Sequence, residues 1–326
     1  MKALIRHFSI FINKLGYFNL NSSNKFRLVK ENYNQTAVMI NIQPLIGEIL
    51  NEPIVETETS KPMPTFKSDK PKVFQYWHQG FDNLPEIVQN CYKSVDYFLG
   101  DDFEIVRLDY STLFNYINLP NQIVDARNQD RMTIAHLSDI VRNKLLLEHG
   151  GLWLDSTVLL TGKKGIFDFI DNKIVSFQNT PVFSNPKEHP VMLGSWMIWA
   201  AKPSCEIFRL TQQVLEIYWE RNKEVSDYFL YHIIVSELLR KDKLLLEEAK
   251  WHRKYYSSNA LDLLFFLLNR DYSDNELIGL MNKTNIHKLD FKLSDSSDYS
   301  KGTFFTWLYN QQNFNQVIWP VIIQNQ

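Results

Sequence analysis

The chain has 326 residues, enough for one large domain with additions or for two domains. It is 44% hydrophobic and 14% aromatic, which supplies a substantial core, and its net charge of -2 gives no electrostatic case for nucleic acid as a partner. Two cysteines, Cys91 and Cys205, lack metal-type spacing and read as buried thiols in a reducing compartment, and no apolar run reaches the roughly 18 residues of a membrane-spanning helix.

Residues 1 to about 50 read as helical and peripheral, followed by an extended connection, Asn51 to Pro71, rich in Pro, Thr, Ser and charge. The opening MKALIRHFSIFINKLGYF mixes Lys2, Arg6 and Lys14 with Phe8, Phe11 and Ile12. It lacks the uninterrupted apolar centre and the cleavage site of a secretory signal. Two readings of it stay open: an amphipathic helix docked on its own domain, or one lying on a membrane surface. A cytoplasmic location is expected, with contact at the inner face of a membrane left open. The chain thus divides into a helical extension and linker over 1–70 and a domain over 71–326, the part from about 204 being mostly helical.

KVFQYW (Lys72–Trp77) has the composition of a buried strand. LPEIVQNCYKSVDYF is a helix with Ile87, Cys91, Val95 and Phe98 on one face. FEIVRLD (Phe103–Asp109) is the next strand, and YSTLFNYI a short helix capped by Asp109 or Ser111. This strand–helix–strand–helix order predicts an α/β fold with a mostly parallel, Rossmann-like sheet covered by helices. A long helix runs from about Thr133 to His149, with Ile134, Leu137, Val141 and Leu145 as its packing stripe. Gly150 and Gly151 end it, because glycine tolerates the backbone of a helix stop. LWLD and TVLLT follow as strands, then KIVSFQN and SWMIWA, the second of which could lie at the sheet edge. Beyond Ser204 come helices at SCEIFRLTQQVLEIYWERN, SDYFLYHIIVSELLRK and ALDLLFFLLN, a strand-like NIHKLDF and a final helix, GTFFTWLYNQQ.

Asp155 lies between Leu152-Trp153-Leu154 and Val158-Leu159-Leu160. An aspartate between two buried-type segments is costly unless it is hydrogen-bonded or bound to a cation. A strand end is also where an open α/β sheet places a ligand; capping a turn is the structural alternative. Asp139 and Arg142, three apart, share a helix face and on spacing alone read as a local ion pair. Asp227, Tyr231 and His232 share a helical face by spacing, as acceptor-binding candidates or as a solvated stripe. Gln178 and Asn179 end a strand as candidate acceptor-side or catalytic amides. His78, His136 and His149 read as structural.

The block S-D-I-V-R-x(7)-G-G-L-W-L-D-S-T, from Ser138 to Thr157, resembles the sugar-donor segment of glycosyltransferase family 32. It is closer still to the bacterial capsular polysaccharide synthesis proteins of that group, which share the AH-x-SD-x-x-R opening. VFQYWHQG and LPEIVQNC look like the first strand and first helix of the same family. The resemblance implies a GT-A fold, a UDP-linked hexose (UDP-Glc or UDP-Gal) as donor, Mn²⁺ or Mg²⁺, and retention of configuration. The implied acceptor is a glycan, which could be carried on polyprenyl diphosphate. Carried over residue by residue, Trp77, next to Tyr76, would stack on the donor base. Asp139 and Arg142 would hold hydroxyls of the donor sugar, Trp153 would lie beside ribose and sugar, and Asp155 would contact ribose and the metal. Thr157 stands where the D-x-D pattern has its second metal-binding aspartate and is a weaker, neutral ligand. His287 would ligate metal or meet phosphate, and Lys288 would pair with the diphosphate. A non-catalytic nucleotide-sugar- or glycan-binding component of a synthesis complex is the alternative.

Overall fold

A computed structural model describes residues 22–51, 70–170, 174–178, 189–222, 224–241, 267–295 and 301–325. The basic-aromatic segment at the N-terminus, most of the 51–71 connection, Asn179 and most of ALDLLFFLLN lie outside those residues.

The elements run α1 (Ser22–Asn51), β1 (Lys72–Tyr76), α2 (Glu86–Leu99), β2 (Glu104–Leu108), α3 (Asn121–Asn128), α4 (Ile134–His149), β3 (Gly151–Leu154) and β4 (Val158–Leu160). Then come α5 (Lys164–Ile170), β5 (Ile174–Gln178), β6 (Leu193–Ala200), α6 (Glu206–Arg221), α7 (Leu230–Lys241), α8 (Asp274–Met281) and β7 (Ile286–Lys288). Short helices α9 (Phe304–Leu308), α10 (Gln311–Asn313) and α11 (Trp319–Gln324) follow.

Five strands form one sheet in the order β2-β1-β3-β6-β5. β1 pairs in parallel with both β2 and β3, as strand–helix–strand order predicts. β6 runs antiparallel to β3 and to β5. SWMIWA is therefore internal, and the edge strand is IVSFQ (Ile174–Gln178). The reason is visible in β6, where most side chains are buried and both backbone edges are paired.

Successive strand residues point to opposite faces, so the sheet carries two cores. Phe74, Tyr76, Trp153 and Ile198 pack with residues of α1, α3, α4, α6 and α7. Val73, Leu152, Leu154, Met197 and Trp199 pack with residues of α2, α8 and the C-terminal helices. Expected to be peripheral, α1 is instead a wall of the first core. Its Val38, Ile42, Leu45, Ile46 and Ile49 are buried at helical spacing, and Gln43 Nε2 donates to Glu237 Oε2 on α7 at 3.0 Å.

Local polar chemistry moved several boundaries. YSTLFNYI is a 3₁₀ turn over Leu113–Asn115, because Asp109 Oδ1 takes the N–H groups of Ser111 (2.8 Å) and Thr112 (2.9 Å) and competes with a helix. α7 starts at Leu230, after Asp227 Oδ1 accepts the Phe229 N–H at 2.8 Å. GTFFTWLYNQQ is broken because Asn310 Oδ1 accepts the Asn313 N–H at 2.9 Å and starts a new turn. NQIVDARN forms α3, a helix the sequence pattern did not announce.

β4 and β7 make a separate antiparallel pair with Val158 opposite Lys288. This pairing carries position 288 back to the turn between β3 and β4.

Candidate active site

The site is built on α4, the glycine stop and β3. Thr133 caps α4 by accepting the His136 N–H at 3.2 Å. Gly150 and Gly151 have φ of 65° and 90°. A Cβ on Gly151 would lie 2.6 Å from the Lys72 carbonyl oxygen, so glycine is what lets β3 start against β1. Leu137, Val141 and Leu145 of the expected stripe are buried, but Ile134 is 37% exposed and lines the cavity instead.

A cavity of ≈ 670 Å³ opens beyond the carboxyl ends of β1 and β3, where an α/β sheet is expected to bind its ligand. Tyr76 and Trp77 line it from β1, Asp139 and Arg142 from α4, Trp153 and Asp155 from β3, and Lys288 from β7. Arg142 is the hub. Its Nη1 donates to Asp139 Oδ1, and its Nη2 donates to Asp155 Oδ1 at 3.0 Å. The guanidinium lies over the Trp153 ring at 4.8 Å from the centroid. Trp153 Nε1 donates to the same Asp155 oxygen at 2.9 Å. Lys288 Nζ stands 3.5 Å from Asp155 Oδ2 and donates to Thr157 Oγ1 at 2.5 Å.

The two carboxylates titrate in opposite directions. Burial lifts the Asp139 carboxyl to about 6, against the pull of Arg142. Burial would raise Asp155 too, but Lys288, Arg142 and the Trp153 N–H hold it below its ordinary range. Arg142 Nε and His232 Nδ1 belong to cavity-lining residues and have no hydrogen-bond partner among the described residues. Buried polar atoms of this kind call for a ligand or water to satisfy them.

The remaining expected residues divide. Trp77 lines the cavity half-buried, with Phe291 packed edge-on at 5.0 Å and 79°. The Tyr76 hydroxyl pairs with His78 Nδ1 at 2.8 Å, so His78 is part of the cavity wall. Trp153 is 1% exposed and spends its ring on Arg142 and its N–H on Asp155, which makes it a holder of charged groups. His232 lines the cavity, and burial holds it near a pKa of about 3, so it is neutral. Tyr231 is fully buried beneath Arg142, 5.8 Å from ring centroid to guanidinium, and does not line the cavity. Asp227 precedes the helix and does not share a face with Tyr231 and His232. His287 also lies off the cavity: strand alternation points it opposite to Lys288, where it is fully buried and hydrogen-bonded to Thr161 Oγ1 at 3.0 Å. Gln178 is the last residue of the edge strand β5 and pairs with Leu193 through its backbone.

Tyr228, Phe229 and Trp196 line the cavity without having been singled out in the sequence. The aromatic pair Tyr228-Phe229, directly after Asp227, was the available signal.

The donor set does not fit a divalent cation, which favours several hard oxygen ligands. Asp155 Oδ1 serves Arg142 and Trp153, its Oδ2 faces Lys288, and the Thr157 hydroxyl accepts from Lys288. Among the described residues, no group of three or more His, Cys, Asp or Glu side chains is placed to hold a metal. Also among them, no helix is long and apolar enough to cross a membrane.

Residues 21–308 match a family model described as capsular polysaccharide synthesis protein. Among curated proteins, the O-glycosyltransferase PaGT of Phomopsis amygdali is 24% identical over 199 residues, covering 58% of this chain and 48% of that protein. The chain thus spans about half the length of that relative. Among solved structures, PaToxG glycosyltransferase is similar with a TM-score of 0.35 and 10% identity, covering 67% of this chain and 83% of that one.

Proposed function

The chain belongs to the capsular polysaccharide synthesis protein family, and we propose that it is a glycosyltransferase moving a hexose from a nucleoside-diphosphate donor, UDP-Glc or UDP-Gal, to a glycan acceptor with retention. A curated relative named as an O-glycosyltransferase supports the reaction class. The observation that carries the reading is the Asp139–Arg142–Asp155 network on the cavity floor, with an aromatic on one side and a lysine on the other.

Each group has work suited to a sugar nucleotide. Trp77 offers a flat apolar face to a base. Arg142, oriented by two carboxylates and a tryptophan, keeps its Nε for a sugar hydroxyl. Asp139 accepts from a neighbouring hydroxyl. Lys288 meets the diphosphate as a point charge. His232, Tyr228 and Phe229 form the acceptor side, where a neutral imidazole receives or gives a hydrogen bond without competing for the proton. Asp139 and Asp155 are both engaged by Arg142, which argues against a glycosidase-like pair of nucleophile and acid. The supported route breaks the bond from sugar C1 to the diphosphate oxygen and forms the bond from C1 to the acceptor oxygen on the same face. The acceptor proton passes to the departing diphosphate.

Asp155→Asn and Asp139→Asn are each expected to lower UDP release from UDP-Glc or UDP-Gal by about 10²-fold or more, while the far-ultraviolet spectrum is unchanged. Two folded variants with wild-type turnover would sink the assignment.

A further inference from the structure

We propose that the Lys288 ammonium occupies the position of the divalent cation, so that this site holds a nucleoside diphosphate without metal. The proposal rests on the donor class proposed above.

Three oxygens surround Lys288 Nζ: Thr157 Oγ1 at 2.5 Å, the Leu289 carbonyl at 3.1 Å and Asp155 Oδ2 at 3.5 Å. A hydroxyl, a carbonyl and a carboxylate are the ligand types that would otherwise surround a hard metal ion. The side chain is 26% exposed and lines the cavity, so one side of the ammonium is open to an incoming phosphate oxygen. Two N–H groups have close acceptors, while the contact to Asp155 is long, which leaves a donor for phosphate.

Charge balance explains Thr157. On the floor, Asp139 and Asp155 are paired with Arg142 and Lys288, and the other charged residues lining the cavity, Asp290 and Lys292, are one of each sign. The surroundings are therefore neutral, and a diphosphate meets no net repulsion. A carboxylate at position 157 would add one negative charge and call for a dication; a hydroxyl does not. A dication brought to the same oxygens would stand within a few ångström of the ammonium and be repelled by it. Lys288 reaches this place through the β4–β7 register, which sets it opposite Val158, three residues beyond Asp155.

Calorimetric titration of the full chain with UDP and with inorganic diphosphate, in excess EDTA or in Mn²⁺, tests this. Wild type is expected to bind UDP with the same Kd, within about twofold, in both conditions. Lys288→Met should weaken both ligands by roughly tenfold or more, the loss of one charge-assisted hydrogen bond, with an unchanged melting curve. Lys288→Arg should keep metal-free binding. The double change Lys288→Met with Thr157→Asp should bind UDP in Mn²⁺ and not in EDTA. Wild-type binding of UDP in Mn²⁺ alone, or unaltered metal-free binding by folded Lys288→Met, overturns the Lys288 assignment and leaves the transferase reading standing. Metal-free binding of inorganic diphosphate that depends on Lys288, with no UDP binding, overturns the nucleotide donor and keeps Lys288. Binding of neither ligand in either condition overturns both.

Discussion

Asp139 and Asp155 sit on the same guanidinium yet titrate apart, and that difference can be measured. Asp139 is raised from 3.8 to about 6 with burial as the main cause. The folded state therefore holds this proton more tightly than the unfolded chain does. Its contribution to stability is full below about pH 4 and is lost as pH rises through about 6. Its ionised form, the one able to accept a sugar hydroxyl, is complete only above that pH. Asp155, held down by Lys288 and Arg142, stays ionised well below it. Donor affinity is thus expected to rise with a one-proton inflection near pH 6, and Asp139→Asn should flatten the profile and lower its plateau. An inflection that survives in Asp139→Asn would assign it to another group. At this scale the sequence was informative where local logic sufficed: an aspartate between two buried strands needs partners, and the Asp155 carboxylate has three, Arg142, Trp153 and Lys288. The contact of Lys288 with Thr157 spans 131 positions and has no periodicity to betray it.

At the scale of elements, the helix–Gly-Gly–strand unit is the part most strictly written in residue type. Gly151 combines φ of 90° with a Lys72 carbonyl oxygen 2.6 Å from where a Cβ would sit. Gly151→Ala should cost about 2 kcal/mol or more in urea unfolding, from backbone strain plus displacement of β1. It should also lower turnover, because β3 delivers Trp153 and Asp155. A loss under about 0.5 kcal/mol would mean that β1 yields easily. Elements whose ends depend on a side-chain cap were harder to bound, as Asp109, Asp227 and Asn310 show. Such residues stabilise turns and helix starts alike, so their presence does not say which one forms.

At the scale of the molecule, α1 decides how the first core closes. Ile46 is fully buried between α1 and its neighbours. Ile46→Ala is expected to lower unfolding free energy by roughly 2–5 kcal/mol, as a cavity in a shared core does, with one cooperative transition. A peripheral helix would give a loss well under about 1 kcal/mol, which urea titration can tell apart.

Residue order alone established the α/β alternation, the glycine stop and the block from Ser138 to Thr157, because propensity, hydrophobic period and glycine's backbone freedom act within a few residues. The fold had to supply the rest. It set SWMIWA inside the sheet, drew α1 into the core, turned His287 away, and brought Lys288, Tyr228 and Phe229 to the cavity. Those outcomes follow from pairing and packing between segments far apart in the chain, where burial of whole faces outweighs any local preference.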